Sequence, residues 1–125
     1  MGRLVKLTEP ISLSLVVDMV KAHLKLKHVR VASRSNEQPI SKVAICAGSG
    51  ASLLKNVKAD LYLTGEMSHH EVLDAVHKGA NVILSEHSNS ERGFLHQWIK
   101  TLRNTFGNQV QIDISSSDRD PLEVV

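Results

Sequence analysis

Aromatic side chains are scarce in this 125-residue chain, which holds one tryptophan, one tyrosine and two phenylalanines. Val, Leu and Ile must therefore fill the interior, and there is no row of aromatic platforms on which unstacked bases could lie. Cysteine is nearly absent too. Cys46 stands alone, so no internal disulfide can form and a reducing compartment suits the chain. No apolar run is long enough to cross a bilayer, and the opening Met1-Gly2-Arg3-Leu4 lacks the apolar core of a secretory signal. Charge of one sign is also lacking: a formal net charge of +2 is too small to imply direct nucleic-acid binding. These absences leave a soluble, intracellular, globular protein with no membrane partner. Its length suits a single domain, residues 1–125, with a core of its own.

What is present is an alternation of strand and helix signals. Leu4–Leu7 reads as a short edge strand ended by Pro10. Ser12 can cap a helix from Leu13 to Leu24, with Leu13, Val16, Val17, Val20 and Leu24 as its buried stripe. The cations that follow (Lys21, His23, Lys25, Lys27, His28, Arg30) suit a solvated helix end better than a nucleic-acid patch. Val29–Ala32 reads as a strand, and Ser33–Ser41, with Pro39, as a mobile surface loop. Lys42–Ala47 is a buried strand that closes on Cys46, expected to be an inert core thiol. Gly48-Ser49-Gly50 then leads into a short helix, Ala51–Asn56. That loop lacks both the dinucleotide fingerprint and the P-loop lysine, so a turn needing positive φ or close backbone approach is expected.

Asp60–Leu63 and Asn81–Leu84 read as buried strands, each followed by a polar loop and a helix. The first helix, from His69 to Lys78, is expected to bury Val72, Leu73 and Val76 and to stop at Gly79. The second, from Ser90 to Phe106, carries a broad apolar stripe: Phe94, Leu95, Trp98, Ile99, Leu102 and Phe106. Val110–Ile114 is expected to be a last strand, and Asp118–Pro121 a turn. This rhythm predicts a layered α/β/α fold with a largely parallel sheet.

If the two strands are parallel neighbours, their loops emerge together at the carboxyl edge, where open α/β sheets bind ligands. Those loops carry Glu66, His69 and His70 on one side, and Glu86, His87 and Glu91 on the other. Both match the capping box S-x-x-E, as Ser68 with Glu71 and Ser88 with Glu91. Glu91 therefore has two readings: it caps Ser88, or it binds a cation with His87, four residues earlier. Two carboxylate oxygens allow both at once. Clustered imidazoles and carboxylates predict a divalent metal site. His77 and His96 fall on helix bodies away from that edge. A catalytic centre wants three or more protein ligands, and the amino-terminal half offers no matching group. The pattern is that of half a site.

The segments CAGSGASLL (46–54), ADLYLTGEMSHHEVLDA (59–75), VILSEHSNSERGFL (82–95) and DRDPLEVV (118–125), with the opening GRLVKLTEPISL (2–13), resemble the Nif-three-like family, also described as GTP cyclohydrolase type 2 homologues. The resemblance covers essentially the whole chain. It implies one half of a duplicated, intertwined α/β fold with a two-metal site between the halves, and assembly into homo-oligomers. It implies that His87 and Glu91 are metal ligands, while Glu66, His69 and His70 line the same cleft, with Glu66 or His70 as candidates to orient a water. Zinc, iron or manganese suit such donors, two ions per complete site. It also implies that the chain corresponds to the carboxyl-terminal part of such proteins, and that apolar surface left by the missing half drives self-association. Two functions follow from the resemblance. One is a metal-dependent hydrolase acting on a nucleotide or phosphate-type substrate. The other is an interaction protein of the transcriptional coregulator-binding kind, with a structural or vestigial metal site. The cytoplasm is the expected address, with the nucleus and mitochondrion as further ones.

Overall fold

The computed structural model of the chain describes residues 2–34 and 38–122. Five strands form one sheet in the order β1-β3-β4-β5-β2. They are β1 (Arg3–Ile11), β2 (Arg30–Ala32), β3 (Ile40–Ser49), β4 (Leu61–Glu66) and β5 (Asn81–Leu84). The central three run parallel, with Val43 beside Leu61 and Leu61 beside Asn81. The edges, β1 and β2, are antiparallel to their neighbours. The expectation of a largely parallel sheet therefore holds for the core.

Period-two alternation sends the central strands' side chains to both faces. On one face Val43, Leu61 and Ile83 pack with Ile40 against Val16 and Val20 of α1 (Leu13–Leu24). On the other, Ala44, Cys46, Tyr62, Val82 and Leu84 meet Leu54 of α2 (Ala51–Leu54) and Ala75 of α3 (His69–His77). Apolar strands buried on two faces are what a parallel sheet requires. Cys46 is in that core, as expected for a free thiol of this kind. Ser12 caps α1 as its sequence suggests, accepting from the Leu15 amide at 3.2 Å.

Several boundaries differ from the sequence reading. β1 continues through Pro10 to Ile11, because its register shifts after Lys6 and an edge strand tolerates a residue without N–H. β3 begins within the expected Ser33–Ser41 loop, and residues 35–37 of that loop lie outside the described residues. α2 stops at Leu54, short of Asn56. In α3, Ala75 is the buried residue, Val72 and Val76 are half-buried, and Leu73 is 41% exposed. A nine-residue helix touches the sheet through a narrow stripe, and Leu73 falls outside it.

The largest departure is at the carboxyl end. α4 (His87–Phe106) begins a full turn earlier than Ser90 and buries no residue. Phe94, Trp98 and Phe106 of the expected core stripe are 61%, 47% and 44% exposed. Val110–Ile114 forms no strand: a 3₁₀ turn, Gly107–Gln109, leads into irregular chain. Alternation alone does not make a strand: this segment is held against α4 instead of at a sheet edge, with Arg103 bonded to the Ile112 carbonyl and Ile112 and Ile114 beside Leu95 and Ile99. Among the described residues no helix is long and apolar enough to cross a membrane.

A candidate half-site for a divalent cation

Three loops meet at the carboxyl edge of the parallel strands. β3 ends in Gly48-Ser49, β4 in Glu66, and β5 leads through Ser85 and Glu86 into α4. Gly48 has φ +66°, so the expected turn with positive φ is present. The turn is pinned from both neighbours. The Gly48 N–H donates to Ser90 Oγ at 2.7 Å, and Thr64 Oγ1 donates to the Gly48 carbonyl at 3.0 Å while accepting from Gly50 N–H at 3.1 Å. Ser90 Oγ in turn donates to the His87 carbonyl at 2.6 Å. These contacts place α4's first turn directly over the ends of β3 and β4.

The absence of a side chain at Gly48 opens the space where chemistry is expected. A Cβ there would lie 2.8 Å from Glu91 Oε1 and 3.1 Å from His87 Nε2. Gly65 serves the same end, since its Cβ would meet the Gly48 carbonyl at 2.7 Å and Ser90 Oγ at 2.8 Å. The two glycines let three backbones approach closely.

The β5–α4 junction contradicts the expected Ser88–Glu91 capping box. Glu86 is the N-cap, no side chain caps the helix, and Ser88 lies inside it. Glu86 sits at φ +70°, ψ 152°, a conformation that strains a residue with a Cβ by about 1–3 kcal/mol. An ion pair with Arg30 at 2.9 Å holds its side chain. Because α4 starts at His87, His87 and Glu91 are a helical i, i+4 pair on one face. The Glu91 carboxylate is therefore free of capping duty.

His87 is the centre of the cluster. Its Nδ1 faces Glu66 Oε1 at 2.8 Å, and its Nε2 lies 3.5 Å from Glu91 Oε1. The Glu66 hydrogen bond raises the His87 pKa above the usual imidazole range, with the charge of Glu91 acting in the same direction. A proton on Nδ1, donated to Glu66, leaves the Nε2 lone pair pointing toward Glu91. That is the carboxylate–histidine–metal arrangement that sets a ligand's tautomer and orientation. Two ligands bound to one ion at about 2.0–2.1 Å with a tetrahedral angle stand about 3.4 Å apart. The Nε2–Oε1 separation fits that edge.

The other sequence candidates are elsewhere. His70 lines a hollow on the α2–α3 side with Lys55, Tyr62 and Asp74, and His69 meets His70 edge-on at 6.0 Å. Of the six side chains expected at this edge, the structure brings together His87, Glu91 and, on the far ring nitrogen, Glu66. Among the described residues no group of three His, Cys, Asp or Glu side chains is arranged to hold one ion. The cluster is a two-ligand half-site with an orienting carboxylate. Beside it, an apolar hollow of about 460 Å³ under β1 and α1 ends at Thr64, Ser85 and Ser90. Sequence reading missed Ser90, Thr64 and Gly65, whose roles depend on neighbouring strands; of these, only Ser90, three residues after His87, left a local signal that could have pointed to it.

Residues 1–121 match the family described as Duf34/NIF3 (NGG1p interacting factor 3). NIF3-like protein 1 of Mus musculus is 56% identical over 128 residues, covering 100% of this chain and 34% of that protein. NGG1-interacting factor 3 of Saccharomyces cerevisiae is 46% identical over 130 residues, covering 98% of this chain and 44% of that protein. A solved structure, that of a Bacillus cereus protein related to NIF3, matches with a TM-score of 0.80 at 27% identity, covering all of this chain and 36% of the other. The chain thus spans about a third of the length of the mammalian relatives it matches.

Proposed function

The chain belongs to the Duf34/NIF3 family, and from that premise we propose that it supplies one side of a divalent-metal centre, with His87 and Glu91 as ligands. One observation carries this reading: His87 Nε2 and Glu91 Oε1 stand 3.5 Å apart while Glu66 holds the opposite ring nitrogen. His87 contributes a neutral imidazole nitrogen, and Glu91 contributes charge. Glu66 fixes the ring's orientation and keeps the proton on Nδ1. Gly48 keeps the ligand face clear, and Ser90 locks Gly48 to the first turn of α4. The remaining ligands come from outside this half-site. Zinc, iron and manganese all accept such donors. A bound divalent ion supplies Lewis acidity and a water acidic enough to react near neutral pH. The activity proposed for the completed centre is metal-dependent hydrolysis of a nucleotide or other phosphate-bearing substrate.

The test is a Mn²⁺ titration of the purified chain beside a His87→Ala/Glu91→Ala variant. Saturable binding lost in the variant is the expected result. Equal affinity in both would overturn the ligand assignment.

A second reading is favoured by a different observation. The Saccharomyces cerevisiae relative is named as an interacting factor, and α4 leaves Phe94, Trp98 and Phe106 uncovered. On this reading the helix face docks a protein partner and the cation is structural. A pull-down separates the two, since Trp98→Ala abolishes partner capture under the second reading and His87→Ala leaves it intact.

A further inference from the structure

The irregular chain after α4 does not leave the domain. Arg103 donates from Nη2 to the Ile112 carbonyl at 2.7 Å and to Asp113 Oδ1 at 3.1 Å. Eleven residues nearer the start of the same helix, Arg92 grips Asp118 with both a 2.8 Å Nε bond and a 3.1 Å Nη2 bond. Between these two anchors Ile112 and Ile114 line a shallow hollow with Leu95, Trp98, Ile99 and Leu102. The segment therefore runs back along α4, antiparallel to it, from its last turns toward its first. Planar, two-bond arginine–carboxylate pairs fix direction as well as distance. Asp118 is held beside Arg92, the residue next to Glu91. Two further residues of chain cover about 6–7 Å, a little more than one helical turn. Continued in the same direction, that length reaches the level of His87. Asp120 also accepts from the Leu122 amide at 2.9 Å, a turn that points the chain away again at Pro121.

We propose that residues 112–120 form a strap, latched by Arg103 and Arg92, that positions the Asp120 carboxylate beside the His87–Glu91 half-site as an added negative charge for its cation. The inference rests on the metal-binding reading above. Asp120 acts through space, as a positioning charge, since it does not complete a three-ligand group. A sequence reading sees Asp118 to Pro121 only as a turn; its place over the site depends on the two arginines.

The experiment has two arms. First, a nitroxide on an Asp120→Cys variant of the metal-free chain is used to broaden nearby resonances; Cys46 is 5% exposed, so the label goes to the introduced thiol. Broadening at His87 and Glu91, lost when Arg92→Gln is added, is expected. Its absence overturns the strap whatever the metal does. Second, Mn²⁺ affinity is measured at low and high salt. Asp120→Asn and Arg92→Gln should each weaken binding about three- to tenfold at low salt, less at high salt, as expected for a screened charge several ångströms away. Asp120→Glu should restore it. An unchanged affinity in Asp120→Asn overturns the role of the carboxylate. A wild-type chain with no Mn²⁺ affinity overturns the metal reading, and with it Asp120's effect on the cation, and the broadening then decides the placement alone.

Discussion

The two strand-to-helix junctions at the carboxyl edge carry the same short signature and do opposite things with it. At β4–α3, Ser68 accepts from the Glu71 amide and Glu71 returns a 2.8 Å bond to the Ser68 amide, a complete capping box. At β5–α4 the same S-x-x-E spacing lies inside the helix, and Glu86 caps with a strained backbone and no side chain. One junction satisfies its own helix end and its carboxylate is occupied. The other leaves Glu91 uncommitted and sets His87 at the first helical position. An irregular, strained junction on a rigid sheet is where a ligand site is expected. The difference teaches that a local motif shows what a carboxylate can do, while the chain around it decides what it does.

That contrast can be broken first at Gly65. A valine there pushes against the Gly48 backbone and the first turn of α4, and should cost about 1–3 kcal/mol of overpacking in chemical denaturation. The corresponding change at Gly79, whose Cβ would meet nothing but whose φ is +88°, would test backbone conformation without crowding.

Ser68→Ala should lower stability by about 1 kcal/mol, the usual worth of an N-cap side chain. Its pH dependence sharpens the assignment. The hydrogen bonds from Ser68, backbone first, depress the Glu71 pKa below the ordinary carboxylate range. Stability from this pair is therefore present above the unfolded carboxylate's pKa and is lost as pH falls through the depressed folded value. The gap between wild type and Glu71→Ala should narrow in acid denaturation below that value. Ser88→Ala, at the matching position of the other junction, should change stability by no more than about 0.5 kcal/mol, because Ser88 caps nothing. A cost near that of Ser68→Ala would restore the box that the sequence suggested.

Glu86→Gly tests the strained cap. Glycine accepts φ +70° without penalty, so relief of strain should outweigh the exposed Arg30 pair and raise stability by roughly 0.5–1 kcal/mol. A loss instead would mean that the Arg30–Glu86 contact, rather than the backbone, controls where α4 begins.

Much of the fold was legible because it rests on local periodicity. The α1 stripe with its Ser12 cap, the three buried parallel strands, the positive-φ turn at Gly48 and the Ser68–Glu71 box all follow from spacing within a few residues. The pair His87 and Glu91 was legible for the same reason, although the start of α4 was misplaced by one turn. Val110–Ile114 was misread because alternation predicts a strand only where the segment reaches a sheet edge, and this one is held along α4 instead. The apolar stripe of α4 was misread as core because periodicity reports that a face is apolar without saying what covers it.

The chain's own residues determined its family, its α/β rhythm and the four-residue spacing of His87 and Glu91, since spacing needs no partner. The meeting of Glu66 with His87, of Ser90 with Gly48 and of Asp118 with Arg92 was decided only by tertiary structure. Those pairs are separated by 21, 42 and 26 residues. They meet because adjacent parallel strands end at one edge and two arginines fold the tail back along α4, and a linear pattern contains neither distance.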